Sequence, residues 1–149
     1  MEMRVGFDIP FDQLLELYNA VGWVMYTNEQ RRGQLQKAIR NSTYVVSAWD
    51  GDKLVGLARG LSDDVSIFYL QDILVRPEYQ RQGIGKRLMG ECLERFRHVR
   101  AKVLLTDGEE RQQRFYEMMG YRNTRKLDRV KLNAFVQIEG IDLTGLRGL

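Results

Sequence analysis

The stretch Val75-Arg76-Pro77-Glu78-Tyr79-Gln80-Arg81-Gln82-Gly83-Ile84-Gly85-Lys86 decides how this chain reads. A β-like run from Ser66 to Val75 is stopped by Pro77, and a helical pattern begins at two glycines one residue apart. The start of a helix leaves backbone N–H groups unpaired and carries partial positive charge, which together make an anion site. Glycine at 83 and 85 removes side chains that would hold a pyrophosphate away from the backbone. Lys86 and the neighbouring arginines add charge. From Arg76 to Lys102 the cations Arg76, Arg81, Lys86, Arg87, Arg95, Arg97, Arg100 and Lys102 face only Glu78, Glu91 and Glu94, a local excess suited to a phosphorylated ligand. The Walker A pattern is absent, and Leu88 stands where a dinucleotide fingerprint needs its third glycine. Nucleic acid is not the expected partner, because no zinc-finger spacing or aromatic-rich RNA motif accompanies the charge.

Outward from this turn the periodicity alternates. Met3 to Phe7 reads as a short strand, Phe11 to Trp23 as a helix and Asn28 to Arg40 as a second one. Tyr44–Trp49 and Lys53–Leu61 read as strands joined at Asp50-Gly51-Asp52, followed by the strand Ser66–Val75. After Gln80 the apolar residues Ile84, Leu88, Cys92 and Phe96 recur every fourth position on a helix. Lys102 to Thr106 reads as a short buried strand. Asp107 and Glu110 form a capping pair for a helix that ends at Gly120, and Tyr121–Thr124 and Val130–Ile138 supply two final strands. A helical crossover between Ser66–Val75 and Lys102–Thr106 makes those strands parallel neighbours. The expected architecture is one mixed α/β domain over residues 1–149, with a single sheet flanked by helices.

Composition sets bounds. With 149 residues, 44% apolar and 29% charged, the chain has the size and balance of one globular domain. It has no apolar run long enough to span a bilayer and no secretory leader pattern, so a cytoplasmic location is expected. One cysteine, Cys92, and one histidine, His98, offer neither a disulfide nor a metal cluster. Cys92 lies on an apolar helix face, where burial is expected, and His98 at a solvent-facing helix end.

The stretch from Val75 to Leu88 resembles the coenzyme A motif Q/R-x-x-G-x-G/A of GCN5-related N-acetyltransferases, the GNAT superfamily, with Gln80, Gly83 and Gly85 in its defining places. Phe115-Tyr116-Glu117-Met118-Met119-Gly120-Tyr121 is similar to that family's second motif. The likeness covers roughly residues 44–122. It implies a mostly antiparallel sheet whose parallel central pair is splayed to hold coenzyme A, with acetyl-CoA as cosubstrate and no metal. By the same resemblance, backbone N–H groups of Arg81, Gln82, Gly83, Ile84, Gly85 and Lys86 hold the pyrophosphate, and main-chain groups of Ile73, Leu74 and Val75 pair with pantetheine. The Tyr69–Val75 stretch is also similar to arylalkylamine and serotonin-type members. The chain departs from the family in carrying Glu109 seven residues before Tyr116, where many members have Asn, and Leu104 twelve before it, where some protein N-terminal acetylators have Glu.

Acetyl transfer to an amine needs a base or water for the amine proton, donors for the developing oxyanion and an acid for the departing thiolate. The resemblance implies Tyr116 as that acid. Asp72, an acidic residue in an otherwise apolar strand, is the expected base; Asp107, Glu109 and water are alternatives. Strict alternation places Tyr69, Gln71, Ile73 and Val75 on one face and Asp72 on the other, unless a bulge intervenes. Trp23, Tyr26, Phe68 and Tyr69 are candidates for an aromatic acceptor wall, which makes a small-molecule amine the first expectation. A protein lysine or N-terminus as acceptor, a non-catalytic acyl-CoA sensor and a nucleotide-binding module are the rivals. A homodimer through the C-terminal strands is compatible with the sequence.

Overall fold

Gly51, at φ 60°, turns the chain between two strands with only Asp52 beside it, and Asp50 pairs with Lys53 across the hairpin. The computed structural model describes residues 1–24 and 27–144, at residue 32 the backbone alone. The strands are β1 (Glu2–Val5), β2 (Tyr44–Asp50), β3 (Lys53–Ser62), β4 (Ile67–Val75) and β5 (Ala101–Leu104). The helices are α1 (Phe11–Ala20), α2 (Arg32–Arg40), α3 (Ile84–Arg95) and α4 (Glu110–Met118). The strands form one sheet in the order β1-β2-β3-β4-β5, antiparallel up to β4. The β4–β5 pair is parallel, as the α3 crossover requires.

Both faces of the sheet are covered, so β2 and β3 are buried almost throughout. On one face Ile84, Leu88 and Cys92 of α3, with Phe96 just after it, meet Val46, Ala48, Val55 and Phe68. The fourfold spacing puts these helix residues on one stripe, and each is at most 3% exposed. On the other face Leu14, Leu17 and Tyr18 of α1 and Leu35 and Ile39 of α2 meet Val45, Trp49, Leu57 and Leu74.

The alternation expected along β4 is broken. Arg59 faces Asp72 and Gly60 faces Leu70, so Gln71 is an extra residue, a bulge. Phe68 and Leu70 therefore share the α3 face with Ile73 and Val75, while Leu74 joins the α1 core. Gly60 has no room for a side chain here. A Cβ would strike the Phe68 ring and lie 2.7 Å from the Tyr69 carbonyl oxygen, which the ladder holds in place. G60A is expected to destabilise the fold by about 1–3 kcal/mol, read as a lower urea midpoint at unchanged slope.

Three expectations fail toward the C-terminus. The helix begins at Glu110, and Asp107 accepts the Glu109 N–H at 2.9 Å in a local turn instead of capping it. The β5 strand is not buried: no residue of it falls in the buried class, and Val103 is exposed. Neither Tyr121–Thr124 nor Val130–Ile138 is a strand; Thr124–Lys126 is a 3₁₀ turn, and the later run has no ladder partner within the described chain. A β pattern forms a strand only where an edge accepts its backbone groups. Among the described residues, no helix is long and apolar enough to cross a membrane.

Candidate active site

The sheet opens where β4 and β5 part. Their pairing runs from Ile67–Ala101 to Leu70–Leu104 and stops, while β4 continues to Val75. The Gln71 bulge sits at the point of separation, where a bulge bends the strand. The wedge is a cleft of about 760 Å³, walled by Ile73 and Val75 on one side and Leu104, Leu105 and Phe115 on the other. Beyond Leu70, the β4 main-chain groups on the β5 side have no strand partner among the described residues.

One end of the cleft is the glycine turn. Gln80 ties it to β4 by donating from Nε2 to the Val75 carbonyl at 3.0 Å. Arg81 (φ 64°) and Gly83 (φ 81°) are both left-handed, an alternation that turns successive N–H groups into a concavity. Gly83 is the N-cap of α3 and supplies no side chain to its first N–H groups. Gly85 faces Phe115 of α4, where a Cβ would make an ordinary contact 3.7 Å from Cζ. Arg81, Gly83, Ile84, Gly85, Lys86 and Arg111 all line the cleft, and α3 carries no acidic residue in its first turn. A turn of this kind suits an anion and is called the cradle below.

Tyr116 lines the same cleft. Its ring packs edge-on against Phe115 at 5.3 Å and Tyr121 at 6.2 Å. Burial, and secondarily the negative charge of Asp107, push its hydroxyl above the ordinary tyrosine value, so it keeps its proton at neutral pH. Asp107 and Glu109 line the same cleft.

A family model described as Acetyltransferase (GNAT) family matches residues 11–121. The chain belongs to the GNAT acetyltransferase family. A GNAT-family acetyltransferase from Streptococcus pneumoniae superposes with a TM-score of 0.78 at 34% identity, over 94% of this chain and 98% of that one. An uncharacterized N-acetyltransferase of Pyropia yezoensis is 26% identical over 113 residues, 73% of this chain; the match spans 63% of the relative's length. An aminoglycoside acetyltransferase from an uncultured soil sample, solved with sisomicin, shares the fold with a TM-score of 0.65 at 21% identity, over 91% of this chain and 97% of that one.

GNAT proteins use acetyl-CoA as cosubstrate, and the cradle fits its pyrophosphate: an uncapped helix start, a left-handed glycine turn and two cations beside it. Of the expected coenzyme A contacts, Ile73, Val75, Arg81, Gly83, Ile84, Gly85 and Lys86 line the cleft. Gln82 does not, and the Leu74 side chain is 4% exposed in the α1 core. The positive excess of the sequence is thinner in space. Arg76 is buried, donating to the Leu54 carbonyl at 2.7 Å and pairing with Glu16 at 3.2 Å. Arg95 and the half-exposed His98 turn to Asp64.

Asp72 is set behind the cleft wall of this GNAT domain. Its Oδ2 accepts from Arg59 Nε at 2.6 Å and from the Tyr18 hydroxyl at 2.8 Å. Arg59 also donates to Ser42 at 3.3 Å, and Ser42 to the Ala38 carbonyl at 2.8 Å. A paired carboxylate 7% exposed on the α1 face anchors α1 and α2 to the sheet; the cleft-lining carboxylates are Asp107 and Glu109. Asp72 directly follows the bulge, so this anchor also fixes the residue at which the cleft opens. The sequence marked Asp72 as constrained but gave no sign of Tyr18 and Arg59 as its partners.

The aromatic wall is reduced to Trp23, which lines the cleft and is 44% exposed. Phe68 instead stacks on Phe96 at 4.3 Å in the core, Tyr69 is not among the lining residues, and Tyr26 lies outside the described residues. Cys92 is fully buried, which pushes its thiol up to about 12 and leaves no thiolate nucleophile at neutral pH.

Proposed function

We propose that this GNAT protein transfers an acetyl group from acetyl-CoA to the primary amine of a small molecule, by direct attack within one cleft. The observation that carries the reading is that the anion cradle around Gly83 and the protonated hydroxyl of Tyr116 line the same 760 Å³ cleft. Bound acetyl-CoA supplies an acetyl thioester, whose C–S bond breaks as the amine nitrogen forms its C–N bond. The backbone N–H groups at the start of α3, with Arg81 and Lys86, bind the pyrophosphate. The edge of β4 from Ile73 to Val75 orients the pantetheine arm as an added strand would lie. Tyr116 gives its proton to the departing thiolate. Asp107 and Glu109 attract the cationic form of the amine, and one of them, or water, takes the proton it must lose before attack. Trp23 lies against the acceptor. A small amine-bearing acceptor is in keeping with the sisomicin bound to the aminoglycoside acetyltransferase of this fold.

Two protonation states set the pH dependence. The amine must be neutral, so the rate rises with pH; Tyr116 must be protonated, and its hydroxyl is held above 10.0. Thiol release is therefore expected to climb and then level, without an alkaline fall below about pH 10. A fall beginning near neutrality contradicts Tyr116 as the acid.

The direct test is thiol release from acetyl-CoA with a panel of aryl-, alkyl- and polyamines, and with peptides bearing a lysine or a free N-terminus. Release with one class of small amine supports the proposal. Release with peptides alone assigns a protein acceptor, and acetyl-CoA binding with no release on any amine makes the domain a sensor.

A further inference from the structure

The turn that carries the two cleft carboxylates is held more tightly than its exposure requires. Thr106, Asp107, Gly108 and Glu109 are all exposed, between the end of β5 and the start of α4. Backbone groups in such a turn can pair with water alone. Here the protein supplies the partners. The Glu109 N–H donates to Asp107 Oδ1 at 2.9 Å. Gln113, half-buried on α4, takes the carbonyls on either side of the Glu109 α-carbon. Its backbone N–H donates to the Glu109 carbonyl at 3.2 Å, and its Nε2 donates to the Gly108 carbonyl at 3.1 Å. Across the turn, Thr106 donates to Gln112 Oε1 at 2.6 Å.

The Gln113 amide is itself oriented from behind. The Arg125 N–H donates to Asn123 Oδ1 at 3.0 Å, which leaves Asn123 Nδ2 to donate to Gln113 Oε1 at 3.3 Å. With its oxygen turned to Asn123, Gln113 presents its nitrogen to Gly108. A directed relay of two amides thus runs from the 3₁₀ turn at Thr124–Lys126 to the backbone of Glu109. The side chain so placed is unspent. Glu109 is the N-cap of α4 but makes no side-chain cap hydrogen bond, and among the described residues its carboxylate has no hydrogen bond or ion pair. It lines the cleft with Tyr116, seven residues on and so on the same side of α4. Asp107, by contrast, has an oxygen committed to the turn.

We propose that Gln113 is a positioning residue for acetyl transfer: it fixes the backbone of Glu109, so that the Glu109 carboxylate, and not Asp107, meets the ammonium of the acceptor and takes its proton. The proton passes from the amine nitrogen to a Glu109 carboxylate oxygen and from there to water, which frees the nitrogen lone pair for the thioester carbon. The proposal rests on the amine acceptor proposed above and names the residue that serves it.

Thiol release from saturating acetyl-CoA, with butylamine, benzylamine and spermidine as acceptors, gives kcat/KM for the amine. E109Q is expected to lower it by about 100-fold or more, as loss of a positioned base does. Q113M, whose side chain donates nothing, is expected to lower it by about 10-fold through misplacement of Glu109, with calorimetric affinity for acetyl-CoA unchanged in both. If Gln113 acts through Glu109, Q113M costs nothing further in the E109Q background. A general loosening of α4 costs the same in both backgrounds and overturns the proposal. N123D probes the far end of the relay. Aspartate still accepts from Arg125 but offers no donor, so the Gln113 amide turns its nitrogen to Asp and its oxygen against the Gly108 carbonyl, and the amine rate falls toward that of Q113M. An unchanged rate in E109Q or N123D also overturns the proposal. Hydrogen exchange at the Glu109 amide needs no turnover, and Q113M is expected to speed it by about 5-fold, the net worth of one hydrogen bond. Unchanged exchange overturns the positioning role whether or not acetyl is transferred. No release from the unaltered protein with any of the amines, beside faster exchange in Q113M, overturns the small-amine acceptor and leaves the hold on Glu109 standing.

Discussion

Replacing Tyr116 with phenylalanine lowers the turnover number for acetyl transfer by about 10²–10⁴-fold, the usual contribution of a positioned acid, while acetyl-CoA binding stays nearly unchanged. That corresponds to about 3–5 kcal/mol of barrier, at about 1.4 kcal/mol per decade. The substitution removes only the hydroxyl, so the ring keeps its edge-on contacts with Phe115 and Tyr121 and the cleft keeps its shape. The thiolate then leaves without a proton donor from the protein. The deficit should be smaller for acyl thioesters whose thiol is more acidic, because they need less help from an acid. Steady-state thiol release, compared with calorimetric affinity for acetyl-CoA, separates the two effects. Unchanged turnover in Y116F contradicts the assigned role.

D72A is expected to lose about 3–5 kcal/mol of stability, because it strands the Arg59 cation in a site where both side chains are about 10% exposed or less. The Tyr18 hydroxyl loses its acceptor at the same time. Removing both charges with volume conserved, as in R59M/D72L, should recover most of that loss, since burying an ion pair costs much of what its attraction returns. Urea unfolding of the two single variants and the double variant measures this. The pattern also separates an anchor from a base. An anchor loses stability in D72A and regains it in the double variant. A base loses turnover while the folded protein keeps its stability, and that outcome contradicts the placement of Asp72 behind the cleft wall.

The parts that were legible in the sequence are those set by local rules. Gly83 after a strand end reads as a turn into a helix because glycine suits the left-handed conformation there, and Gly83 is the left-handed N-cap of α3. The spacing of Ile84, Leu88, Cys92 and Phe96 predicts the buried stripe of α3 because a helix has one period. What the sequence concealed depends on pairing at a distance. No local rule announces that Gln71 is an extra residue, since a bulge is defined against the partner strand; one added residue put Phe68, in place of Tyr69, on the face of Ile73 and Val75. The charge run had the same limit: Arg76 belongs to that run in sequence, but in space it is bonded to Leu54 and Glu16. The failure at Val130–Ile138 is of another kind. Its strand pattern is apolar enough, but among the described residues no strand pairs with it.

The central claim is that the glycine turn and the open edge of β4 together hold acetyl-CoA. Calorimetric titration with acetyl-CoA, set against S-acetyl-pantetheine, which has the same reacting thioester but no pyrophosphate, tests it most directly. The account predicts saturable one-to-one binding of acetyl-CoA and much weaker binding of the truncated thioester. No binding of acetyl-CoA, or equal affinity for the two, contradicts it.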